Sequence, residues 1–181
     1  MNRLLKYLLL VCLCLFAASG HAMVKSPAII KPTIDPLSEA GRAYIEGDYI
    51  KAAKLYRPMA EKGDVEAQLI LGSMHDTGLG VTQDFKEAVK WYRLAAEQGN
   101  VFAQEKLGWK YILGNGVPQD DVLAYMWLNI AVSNDFTPGR KVANQQRIQQ
   151  RDAIARRMTA GQIAKAQELT RKCIAMKFKG C

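Results

Sequence analysis

Few residues of this chain have the types and spacing that chemistry requires. Beyond residue 22 there are one histidine, His75, one adjacent acidic pair, Asp120-Asp121, and two cysteines, Cys173 and Cys181. Nucleophilic catalysis needs a base held against the nucleophile, and His75 falls where the local pattern places an aromatic packing residue. No Ser-x-x-Lys is present from which a β-lactamase-like nucleophile could be assembled. One histidine and a terminal cysteine pair are no compact ligand set, so no metal and no other cofactor is expected. Gly78-x-Gly80 precedes a helix start, as a phosphate-binding loop would. However, no strand pattern comes before it, no Lys-Ser or Lys-Thr follows, and Asp84 puts a carboxylate where the anion would sit. These residues read as turns, caps and core, and the chain as a non-enzyme.

The first residues read as a targeting segment. Arg3 and Lys6 precede an unbroken apolar run from Tyr7 to Ala18, too short to span a bilayer. Ser19-Gly20-His21-Ala22 then offers small residues before a cut after Ala22. Residues 1–22 are expected to be a secretory signal, with an uncleaved anchor as the alternative, and residues 23–36 a Pro-containing linker. The mature chain is then periplasmic or secreted. Cys12 and Cys14 leave with the signal, and in an oxidising compartment Cys173 and Cys181 favour a disulfide over a metal site.

Charge is unevenly placed. Residues 23–136 hold 12 basic and 15 acidic side chains, whereas residues 137–181 hold 11 basic and 2 acidic. Arg147, Arg151, Arg156, Arg157, Lys165, Arg171 and Lys172 therefore form a candidate basic patch. Such charge attracts anionic surfaces, and in an exported protein these would be acidic proteins, envelope glycolipids or lipid headgroups rather than nucleic acid. A solvated face is the other reading.

The elements that carry these residues repeat. At a spacing of 36 residues, Ala67 aligns with Ala103, Leu71-Gly72 with Leu107-Gly108, and Gly78-x-Gly80-Val81 with Gly114-x-Gly116-Val117. The register runs on through Asp84 and Asp120, Ala88 and Ala124, Trp91 and Trp127, and Ala95 and Ala131. A shorter copy precedes them, with Gly41-x-x-Tyr44 and the turn Gly47-Asp48-Tyr49. A fixed period of this length marks stacked supersecondary units. Apolar residues at helical spacing make each unit two antiparallel helices. Gly78 ends the first helix, and Asp84 with Glu87 is expected to form a capping box at the second. Gly72 and Gly108, costly inside a helix, imply close helix approach beside Trp91 and Trp127.

The stretch "AQLILGSMHDTGLGVTQDFKEAVKWYRLAAEQGNVFAQ" resembles the Sel-one-like repeat, a relative of the tetratricopeptide repeat. The likeness covers residues 37–134, read as a short unit (37–66) and full units 67–102 and 103–134. It implies an all-α, right-handed solenoid of helix hairpins that acts as a protein-binding scaffold. His75 replaces the tyrosine that Tyr111 keeps. Residues 135–181 resemble the C-terminal extension of exported members. They read as a helical cap, with helices over about 140–158 and from Ala160, and a capping box at Thr159 and Gln162.

In such a solenoid the first helices line the inner wall. By register, the non-repeating positions there are Glu39, Arg42 and Ile45, then Leu69, Ser73 and Asp76, then Glu105, Trp109 and Ile112. Trp109 stands where the preceding unit has Ser73 and the first has Arg42, which makes it a candidate anchor for a protein or peptide partner. The alternative is that Trp109 packs against the C-terminal helices. Two other functions are carried forward: a β-lactamase-like envelope hydrolase, and a basic tail that binds anionic envelope lipids.

Overall fold

The computed structural model describes residues 36–134 and 141–181; the expected signal and the linker up to residue 35 lie outside the described residues. Among the described residues there are eight helices and no strand: α1 (Pro36–Ile45), α2 (Tyr49–Glu61), α3 (Val65–Thr77), α4 (Phe85–Glu97), α5 (Val101–Leu113), α6 (Asp121–Asn134), α7 (Lys141–Ala155) and α8 (Ala160–Ala175). No helix among them is long and apolar enough to cross a membrane. From α1 to α6 each helix packs on its neighbours in sequence, while the backbones of the first helices of successive hairpins stay farther apart and are bridged by side chains, as Lys110 of α5 pairs with Asp76 of α3. The result is an all-α repeat solenoid with grooves between the first helices.

Hairpin geometry follows from the turn chemistry. Gly78 and Gly114 close α3 and α5 in left-handed conformation, with φ of 77° and 71°. Gly80 and Gly116 also have positive φ, and a Cβ on either would run into the backbone of the preceding second helix, at Tyr49 and Phe85 respectively. These glycines therefore seat each turn on the hairpin before it. Inside the helices, a Cβ on Gly72 would lie 2.8 Å from the Tyr92 ring, and one on Gly108 would lie 2.8 Å from Leu128. The close approach expected from the sequence is present, and the side chain filling it is the one that follows each tryptophan. Trp91 and Trp127 are themselves buried in the core.

Asp84 caps α4 by accepting from the Lys86 and Glu87 amides, and Asp120 caps α6 through Val122 and Leu123. The capping box expected at Asp84 does not form. The Asp84 amide already donates to the His75 carbonyl, and the Glu87 carboxylate turns to Lys90 instead. At α8 the box is complete, with Thr159 and Gln162 bonding reciprocally.

A polar seam repeats with the fold. Gln68 donates to the Ala60 carbonyl and Gln104 to that of Ala96. One period apart, the Gln98 amide donates to the Gly63 carbonyl and the Asn134 amide to that of Gly99. The Arg57 guanidinium lies 3.4 Å from His75 Nε2, as Arg93 donates to the Tyr111 hydroxyl at 2.8 Å. His75 thus occupies the packing position of a repeat tyrosine.

The last two helices break the pattern. Both α7 and α8 pack on α6, where Ile154 and Ala166 join Tyr125 and Leu128 in one cluster, but the backbones of α7 and α8 do not pair along their lengths as those of a repeat hairpin do. After α8 the chain turns back, and the Sγ atoms of Cys173 and Cys181 are bonded at 2.00 Å.

Candidate functional site

The face made by α1, α3 and α5 carries a small apolar groove of about 260 Å³. Its lining is Tyr44 from α1, Leu69, Ile70 and Ser73 from α3, and Phe102 and Lys106 from α5. Helical spacing produces this floor: Leu69 and Ser73, and likewise Phe102 and Lys106, are four residues apart and share a helix face. Phe102 remains 42% exposed although the Arg147 guanidinium stacks over its ring at 5.3 Å. An exposed aromatic ring beside an ammonium, over an aliphatic floor, suits an apolar side chain of a partner with an acidic or carbonyl group nearby.

The structure distributes the sequence candidates unequally. Leu69 and Ser73 lie in this groove. Arg42 and Ile45 are exposed, Ile45 at 85%, near the end of α1 and outside the groove lining. Asp76 is engaged internally: it pairs with the buried Lys110 ammonium and accepts from the Tyr92 hydroxyl at 3.3 Å. Burial first, and then the Asp76 carboxylate, push the Tyr92 phenol well above its usual value. Glu105 pairs with Arg147 at 2.7 Å. Trp109 and Ile112 line a second cleft, of about 520 Å³, whose other wall is α7 with Gln146, Gln150 and Ile154. Trp109 is half-buried there.

The basic patch is also redistributed. Arg147 is only 2% exposed, so it is a packing and pairing residue and not part of a surface. Arg151 bonds Asn129 and Asp152, Arg157 pairs with Asp121, and Lys172 pairs with Glu168. Arg156, Lys165 and Arg171 are exposed, and Lys165 shares a cleft with Asp120 and Asp121. Arg147 and Arg157 therefore tie α7 and the turn after it to carboxylates of the repeats, while Arg151 and Lys172 pair with carboxylates of their own helices.

Tyr44, Ile70, Phe102 and Lys106 were missed by sequence reasoning. Phe102 aligns with Glu66 and Lys106 with Ile70 at the 36-residue period, so the rule that singled out Trp109 also reaches them. Lys110, which aligns with Met74, was hidden because a core register position predicts an apolar residue. Among the described residues no group of three or more His, Cys, Asp or Glu is placed to hold a metal ion.

The sequence pattern of the Sel1 repeat matches residues 37–64, 65–100 and 101–136. No curated protein matches the sequence. Among solved structures, the chain is similar to c5321, a protective antigen of uropathogenic Escherichia coli displaying an SLR fold. Identity is 32% and the TM-score 0.69, over 79% of this chain and 30% of that one. It is also similar to a Sel1 repeat protein from Oxalobacter formigenes, at 35% identity and TM-score 0.51, over 55% of this chain and 81% of that one. This chain thus spans less than a third of the first of these proteins. Sel1 repeats generally mediate protein–protein interaction, and with three repeats in register over more than half its length this chain belongs to the Sel1 repeat family.

Proposed function

We propose that this protein is an exported, non-catalytic scaffold that holds a segment of another protein in the groove between α1, α3 and α5. The observation that carries the reading is the exposed Phe102 ring, which lines the groove with Leu69 and Tyr44 at a position where the preceding repeat has glutamate. The repeat framework does not need an aromatic residue there, and exposed aromatic anchors dominate interfaces when they become desolvated. Trp109 and Ile112 would extend the contact along α5 toward α7.

The test compares wild type with Phe102→Glu and Trp109→Ala in capture from an envelope fraction. Partner retention lost in Phe102→Glu, with an unchanged thermal midpoint, supports the groove. Undiminished retention in both variants removes it. Export is checked by the mass of the purified chain, which should begin at Met23. Turnover of a chromogenic β-lactam should be absent, and saturable turnover would replace this reading with the hydrolase one.

A further inference from the structure

The 36-residue period places two copies of one groove on the molecule, and the chain fills only one of them. The filled copy is floored by Gly99, Gln104, Trp127, Ile130 and Asn134. Phe178, at the tip of the disulfide-closed loop, packs against this core. A Cβ on Gly99 would lie 3.4 Å from its ring, and Ile130 is 0% exposed. The copy one repeat earlier is floored by Gly63, Gln68, Trp91, Leu94 and Gln98, the residues 36 positions before each of those. Its polar bonds are the same, with Gln98 joining the Gly63 carbonyl and the Gln68 side chain as Asn134 joins Gly99 and Gln104. Yet it is an open groove of about 630 Å³. A Cβ on Gly63 would meet nothing within 4 Å, and Leu94 is 38% exposed.

We propose that this open groove is a second docking site, distinct from the first-helix face, for a partner loop bearing an aromatic side chain beside a basic residue. Phe178 shows what the repeat accepts there, because the floor it covers shares the glycine, the amide hydrogen bonds and the tryptophan, although Lys90, 5.2 Å over the Trp91 ring, stands where the filled copy has Met126. The charge follows the same register. Lys179, next to Phe178, lines the open groove together with Glu97, and Glu61 stands in that groove 36 residues before Glu97. A partner aromatic seated over Gly63 and Leu94 therefore brings a neighbouring cation to Glu61.

The probe is a peptide copying residues 173–181, Cys-Ile-Ala-Met-Lys-Phe-Lys-Gly-Cys, closed by its own disulfide. Titrated into the intact protein, it should shift the Trp91 indole N–H resonance saturably and leave the Trp109 indole unmoved. Leu94→Glu and Glu61→Lys, both at exposed positions, should each weaken binding by at least about tenfold. A peptide with alanine in place of Phe178 should not bind. Absence of a saturable Trp91 shift overturns the proposal, as does equal binding of the alanine peptide or unchanged affinity in both variants. A shift at Trp109 alone would move the ligand to the first-helix face. A Trp91 shift that grows with protein concentration without peptide, alongside a doubled mass, would assign the groove to a second copy and overturn the partner assignment.

Discussion

Asp76 and Lys110 meet across successive first helices, with the Tyr92 hydroxyl on the same carboxylate and the Phe85 ring 5.0 Å from the ammonium. A pair this buried is weak evidence of net stabilisation, but removing one partner strands the other charge away from water. Asp76→Ala and Lys110→Met, each of which leaves the other charge unpaired, should therefore each cost about 3 kcal/mol or more in urea unfolding, whereas Asp76→Ala combined with Lys110→Met, which removes both charges and restores the residue type of Met74, should cost far less. Tyr92 adds a pH signature. Its folded-state pKa is raised above the unfolded value of about 10, so the folded chain keeps the proton longer. The associated stability is intact below about pH 10 and is lost as pH rises through the folded value. Alkaline unfolding curves of Tyr92→Phe should accordingly decline less steeply above pH 10 than those of wild type. None of this network was legible beforehand, because the repeat pattern names Lys110 as a core position and says nothing of an ion placed there.

At the scale of elements, the helix hairpins were legible because glycine, capping aspartate and apolar spacing all point to the same boundaries. The arrangement of α7 and α8 was not. Amphipathic spacing shows that a helix buries a face, but not against which neighbour, and here α6 receives both helices. What anchors α7 and the turn after it is specific pairing, Arg147 with Glu105 and Arg157 with Asp121, which composition alone reads as a basic surface. The disulfide closes the loop that seats Phe178 on Gly99, and the loop holds Lys177 and Phe178 in left-handed backbone, at φ of 52° and 67°. Cys181→Ser should thus lower stability by roughly 2–3 kcal/mol in chemical denaturation. It should also release Phe178, so that Gly99 amide exchange quickens while the amides of α3 keep their protection. A Gly72→Ala substitution would push Tyr92 from its place at a cost of about 1–3 kcal/mol, read from the same denaturation series.

For the molecule as a whole, stability in a repeat array is close to a sum of unit terms and nearest-neighbour interfaces. The period in the sequence therefore foretold the solenoid, while the filling of one of two equivalent grooves depends on a loop outside the period and could not be read from it. The interfaces here have identifiable joints: Gly80 against the Tyr49 backbone and Gly116 against that of Phe85. Alanine at position 80 would be strained twice, by its positive φ and by that contact. Since Gly80 joins only the first two hairpins, Gly80→Ala should uncouple α1 and α2 from the rest. Native-state hydrogen exchange would then show α1 and α2 amides opening at a lower free energy, with protection in α5 and α6 near wild type. Gly116→Ala breaks the next joint, so it should loosen both hairpins on its N-terminal side relative to α6, which α7 and α8 still brace. Equal loss of protection along the whole array in both variants would mean that the solenoid opens as one unit, and that its joints do not partition it.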